Sequence, residues 1–169
     1  NNLKTVSPRR LRAEFAEDTM IALTASADPS SEFVSWHNDC AAAGTNAACR
    51  FAMTGPKAVT AEFRLRRFPL RVQVNGASVL NGLVVSSPSG IACPGTCSAD
   101  YDSGQMVSLS VVQIGPASFT GWSGDCTGNG ACTVEMSQAR NVTANFMTPS
   151  FTLSVLSNGP GTVTSAPSG

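Results

Sequence analysis

The chain repeats itself, and the repeat limits the fold more than any other feature of the sequence. Phe33-Val-Ser-Trp36-His-Asn-Asp39-Cys40 lines up with Phe119-Thr-Gly-Trp122-Ser-Gly-Asp125-Cys126, an offset of 86 residues. At the same offset Leu23 meets Leu109, Ile21 meets Val107 and Phe15 meets Tyr101. Further on, Cys49-x-x-x-Met53 meets Cys132-x-x-x-Met136. Val59-Thr-Ala61-Glu-Phe63 then meets Val142-Thr-Ala144-Asn-Phe146, now at an offset of 83. The difference is absorbed by the longer loop between Cys40 and Cys49. A module recurring at this spacing is a small supersecondary unit. The large apolar residues shared by both copies mark its core: Phe33, Trp36 and Phe63 in the first, Phe119, Trp122 and Phe146 in the second.

A fragment of a third copy closes the sequence. Gly161-Thr-Val163-Thr-Ser165-Ala-Pro167-Ser-Gly169 echoes Gly82-Leu-Val84-Val-Ser86-Ser-Pro88-Ser-Gly90 at an offset of 79. The chain thus begins about where it ends within the repeat. Residues 1–66 read as a first repeat lacking its N-terminal hairpin, 69–147 as a complete second repeat, and 150–169 as the hairpin of a third. Two readings of this phase stay open. The chain is a window on a longer run of tandem copies, or the tail hairpin of one molecule completes the open head of the next in a head-to-tail fibre. In the second case Phe151, Leu153, Val155 and Val163 are the donor-strand residues. In both, the partners are further copies of the chain or adjacent repeats of it.

The local patterns are those of strands. Leu70-Arg-Val72-Gln-Val74, Val107-Ser-Leu109-Ser-Val111 and Cys132-Thr-Val134-Glu-Met136 alternate apolar and polar residues. So do Val142-Thr-Ala144-Asn-Phe146 and Phe151-Thr-Leu153-Ser-Val155. Turn dipeptides fall between such runs, among them Asn75-Gly76, Pro94-Gly95, Asn129-Gly130 and Asn158-Gly159. Residues 9–18 could pass for a helix, but their counterpart 98–104 contains Gly104 and no helical period, so both are read as a strand edge and turn. Boundaries are expected at Arg66-Arg67-Phe68-Pro69 and Met147-Thr148-Pro149, where proline cannot donate to a ladder. The fold class is mainly β: tandem, small, antiparallel repeat domains.

Six cysteines fall into three close pairs, Cys40 with Cys49, Cys93 with Cys97 and Cys126 with Cys132. Close, even pairing reads as disulfides formed in an oxidising compartment. The first copy has Ser7 and Leu11 where the second has Cys93 and Cys97. Both cysteines are missing together, which favours a bond between them. Charged residues make up only 13% and the net charge is zero, which removes the electrostatic case for nucleic acid as a partner. No apolar run reaches the roughly 18 residues of a membrane helix, so no membrane insertion is expected.

These motifs carry a family likeness. Pro88-Ser-Gly90-Ile91-Ala-Cys93-Pro-Gly-Thr-Cys97 leads into Phe119-Thr-Gly121-Trp122-Ser123-Gly124-Asp125-Cys126 and closes with Cys132-Thr-Val134-Glu-Met136 and Val142-Thr-Ala144-Asn-Phe146. The pattern resembles the tandem repeat of large secreted and cell-surface bacterial proteins and is similar to divergent internalin-B-type B repeats. The resemblance implies a β-grasp-like or related β fold and an extracellular or cell-surface setting in adhesins, stalks or appendages of secreted enzymes. It implies no catalytic residues. His37-Asn38 stands in the first copy where the second has Ser-Gly, so identical ligands for the two copies are not implied.

Candidate chemistry is sparse. Trp36 and Trp122 could stack on a surface glycan, the alternative partner, but a matched tryptophan more often fills the core of a small domain. Ser35, His37 and Asp39 invite a triad reading, yet Ser123 replaces His37 in the second copy, so the repeat does not require imidazole. The cysteines lack the spacing and histidine partners of common zinc sites. Asp100, Asp102 and Asp125 form no calcium signature and are read as turn residues. Arg64, Arg66, Arg67 and Arg71 read as a solvated basic linker. Asn141-Val142-Thr143 matches a glycosylation sequon that carries little weight in a bacterial setting. No enzyme, cofactor or metal is expected.

Overall fold

The computed structural model describes residues 12–76, 82–113 and 115–166. They are almost wholly strand and turn; the one helical element among them is a single 3-10 turn at Ala41–Ala43. The chain divides into two compact units. Ser7 and Leu11 lie outside the described residues.

The first unit has four strands, β1 (Met20–Thr24), β2 (Ser31–Asn38), β3 (Ala48–Ala52) and β4 (Val59–Leu65). They form two antiparallel pairs. In one, β1 lies on β3 with Leu23 opposite Cys49. In the other, β2 lies on β4 with Phe33 opposite Phe63 and Trp36 opposite Ala61, and a bulge between Phe33 and Ser35. The strand β2 ends at Asn38, whose φ of 60° takes the left-handed turn that asparagine tolerates better than most residues. Its buried core is small: Trp36, Cys40 and Cys49, with Leu23, Phe33, Phe51, Val59 and Ala61 partly covered around them.

Eight further strands follow, most of their residues in the second unit. These are β5 (Arg67–Asn75), β6 (Gly82–Ser87), β7 (Ala92–Cys93), β8 (Ser98–Asp102), β9 (Met106–Gln113), β10 (Ser118–Gly124), β11 (Cys132–Glu135) and β12 (Arg140–Met147). They make two four-stranded sheets, ordered β10-β12-β5-β8 and β11-β9-β6-β7. Alternate residues of both sheets are buried, Leu70, Val72, Val142 and Ala144 from one and Val84, Val107, Leu109 and Val134 from the other. The sheets touch where Gly82 lies under the ring of Phe146. A Cβ added at Gly82 would stand 2.5 Å from that ring, so only hydrogen fits.

Four of the five alternating segments are strands β5, β9, β11 and β12. The fifth is not: Phe151–Val155 forms no strand, and Phe151, Leu153, Val155 and Val163 are 88, 78, 56 and 66% exposed. Alternation specifies a face to bury, but a strand also needs a neighbour for its backbone, and no described strand of this chain pairs with the segment. Residues 12–16 likewise form no strand, and the expected turn falls at Glu17–Asp18, whereas their counterpart is β8. In β8 the partner is β5, and the first unit shows no equivalent of β5 among the described residues. Pro69, read as part of a boundary, sits inside β5, and the first stretch of the first compact unit ends at it. One pair departs from the antiparallel rule: β12 runs parallel to β5, with Val142 opposite Val72 and Ala144 opposite Val74.

Candidate functional site

The shared motif folds into the same local machine twice. In the first copy Phe33 packs on Trp36 at 5.4 Å and on Phe63 at 5.6 Å between ring centroids. In the second, Phe119 packs on Trp122 at 5.0 Å and on Phe146 at 5.6 Å. The strand pairs match as well, including the bulge, which in the second copy lies between Phe119 and Gly121. Each indole is 6% exposed and donates its Nε1–H to a loop carbonyl, Asn46 at 2.8 Å or Gly130 at 3.0 Å. Those carbonyls lie in the loops closed by the disulfides Cys40–Cys49 and Cys126–Cys132. The third bond, Cys93–Cys97, has no counterpart among the described residues of the first unit. Buried rings with satisfied N–H groups are structural, and neither indole presents a stacking face.

The aspartate before each cysteine is a clamp. Asp125 accepts the Asn141 N–H at 2.6 Å and pairs with Arg140 at 3.0 Å, while its own N–H donates to the Asn141 carbonyl at 2.9 Å. Asp39 does the same with Ala58 at 2.7 Å and Lys57 at 3.3 Å. The backbone N–H, aided by the neighbouring cation, holds both carboxyl groups below the ordinary aspartate range. A lowered folded pKa stabilises the fold above the unfolded pKa, and that contribution fades as pH falls through the folded value. Asp125→Asn is therefore expected to lower the melting temperature at neutral pH. The gap to the parent should close below about pH 4, as read by thermal unfolding across an acid pH series.

The serine–histidine–acid reading dissolves in the geometry. His37 meets Glu62, not Asp39: Nε2 lies 2.8 Å from Glu62 Oε2 and 3.2 Å from Ser35 Oγ. Both partners share one ring nitrogen. A relay needs the hydroxyl on one nitrogen and the acid on the other, so this cluster cannot pass a proton from serine through histidine toward the acid. It stands on an exposed face of β2 and β4. In the second copy Ser123 and Asn145 occupy the matching places, joined by a 3.0 Å hydrogen bond.

Three arginines of the basic stretch are paired while remaining exposed. Arg64 pairs with Glu32, Arg66 donates to the Ser31 carbonyl at 2.9 Å, and Arg67 reaches Asp102 and the Asp100 carbonyl. A shallow cleft of about 430 Å³ lies along Glu32, Arg64, Leu65, Arg66, Arg67 and Phe68. These pairings leave it without convergent polar groups. Among the described residues no three of His, Cys, Asp and Glu are placed to hold a metal ion.

What distinguishes the two copies is coverage. Phe63 is 42% exposed and its match Phe146 is 6% exposed. Val59 and Ala61 are half-buried where Val142 and Ala144 are fully buried, and Ile21 and Leu23 stand in the same relation to Val107 and Leu109. In the second copy β5 and β6 supply the cover. The repetition marks these residues as core, and reading the first repeat as lacking its hairpin already implies that one copy is the more open.

No curated protein and no solved structure matches the chain. The divergent InlB B-repeat domain matches it twice, over residues 5–67 and 84–149. Those spans hold the aromatic clusters, the aspartate clamps and all three disulfides and together cover most of the sequence, so the chain belongs to the divergent InlB B-repeat family.

Proposed function

We propose that the chain is a non-enzymatic, extracellular structural segment of a bacterial surface protein, part of a stalk or fibre whose repeats are sealed by strands of the β5–β6 type. The observation that carries this reading is the contrast between matched residues, Phe63 at 42% exposure against Phe146 at 6%. The second copy buries its aromatic cluster under β5 and β6; the first leaves the same cluster half open. Residues 151–163 are exposed and repeat the pattern of those two strands, so a further copy of the chain can supply what the first unit lacks. Membership in a family of bacterial surface repeats and the three disulfides support an oxidising, exported setting.

Sedimentation velocity over a concentration series tests it. The 169-residue chain is expected to associate as concentration rises, and Leu153→Asp with Val155→Asp to remain monomeric, because a carboxylate cannot be buried unpaired in an apolar groove. A parent that stays monomeric at every concentration would overturn the assembly.

A further inference from the structure

The second copy is a template for how such an assembly would be joined. There β5 runs parallel to β12 with Val72 opposite Val142 and Val74 opposite Ala144. Strand β6 runs antiparallel to β9 with Val84 opposite Val111 and Ser86 opposite Leu109. The first unit holds the counterparts of the receiving strands. In it β4 pairs only with β2 and β1 only with β3 among the described residues, so no described strand lies on the sides that receive β5 and β6 in the second copy.

The tail has the matching donor pattern. Phe151-Thr-Leu153-Ser-Val155 lies over Leu70-Arg-Val72-Gln-Val74, and Gly161-Thr-Val163 over Gly82-Leu-Val84; the two-residue difference in offset falls in the turn between them. Leu70, Val72 and Val84 are 0, 3 and 0% exposed, so the tail offers apolar residues wherever the template buries them. Thr152 and Ser154 stand where Arg71 and Gln73 face solvent. Residues 148–166 contain no charged side chain, so docking them desolvates no ion.

One position is diagnostic. Gly82 is the residue that leaves room for the ring of Phe146. The tail keeps glycine there, Gly161, and the first unit keeps the ring, Phe63. Within its own chain Gly161 has nothing within 4 Å of where a Cβ would stand, so its lack of a side chain answers to no contact there.

Resting on the assembly reading above, we infer that residues 150–166 of one molecule dock as two strands onto residues 12–66 of a second copy. Phe151–Val155 runs parallel to β4 with Leu153 opposite Val59, Ser154 opposite Thr60 and Val155 opposite Ala61. The strand after Gly161 runs antiparallel to β1 with Val163 opposite Ala25, and Gly161 lies under the Phe63 ring.

Cysteine trapping tests the register. Ser154→Cys combined with Thr60→Cys is expected to give covalent oligomers on mild oxidation, their 60–154 bond located by peptide mapping. Ser154→Cys with Glu62→Cys, shifted by two residues on the same face, is the control and should trap about tenfold less. Equal trapping by both pairs, or a 60–154 bond formed within a monomer, overturns the inference. Gly161→Val is expected to weaken association about tenfold or more in the parent and to lose most of that effect beside Phe63→Ala. If the chain associates but neither result appears, the register is wrong while the assembly stands. If it never associates, both fall.

Discussion

Trp122→Ala is expected to abolish cooperative folding of the second repeat. The substitution removes the largest ring of the cluster, 6% exposed and packed edge-on against Phe119, and deletes the donor that ties the indole to the Gly130 carbonyl. Large aromatic truncations in a core cost about 3–5 kcal/mol, from lost transfer energy and the cavity left behind. The Gly130 carbonyl lies on an exposed loop and can turn to water, so the loss is one of packing more than of hydrogen bonding. A domain of this size has a total stability on the order of 5 kcal/mol, so one such loss consumes most of it. Urea unfolding followed by far-UV circular dichroism checks this. A second-repeat transition shifted by less than the equivalent of about 1 kcal/mol would show that the cluster does not hold the sheets together.

The second large effect belongs to the first unit. Replacing Cys40 and Cys49 together by alanine is expected to unfold residues 12–66, whereas Cys93→Ala with Cys97→Ala leaves the second repeat folded. Chain entropy alone does not produce this asymmetry. Closing loops of 9 and 4 residues stabilises by about 2–3 and about 2 kcal/mol, a difference well under the effect expected. The asymmetry comes from what else the sulfurs do. Cys40 and Cys49 are 1 and 4% exposed and, with Trp36, are the buried members of the hydrophobic cluster formed by β1 to β4 among the described residues. Cys97 is only half-buried, and sixteen other buried hydrophobic residues lie between Leu70 and Phe146 among the described residues. Hydrogen exchange read by mass spectrometry should show protection lost across β1 to β4 in the first variant and kept across β5, β9 and β12 in the second. Retained protection in the first unit would mean that strand pairing alone sustains it.

Both expectations draw on residues that the repetition of the sequence marks. Phe33 with Phe119, Trp36 with Trp122 and Phe63 with Phe146 recur because each copy builds the same cluster around the same bulge. From the sequence the aspartates of the motif read only as turn residues or as a partner for His37. Their clamp involves a backbone N–H 16 residues away in the second copy, and no local pattern announces such a partner. The true neighbour of His37 was hidden for a related reason. Glu62 is 25 residues distant and reaches His37 across the β2–β4 pair, while Asp39, two residues away, turns to Ala58 instead.

The amino-acid order on its own determined that the chain is a β repeat, which residues face inward and how the cysteines group. Those properties are local or recur within the chain, and side-chain alternation and spacing express them directly. Only the tertiary structure decided that β5 lies parallel to β12, that Pro69 is accommodated inside a strand, and that Phe63 and Phe146 end so differently. Alternation states which face seeks cover but not which strand provides it. Burial is conferred by neighbours distant in sequence, so identical residues in matched motifs can be sealed in one copy and open in the other.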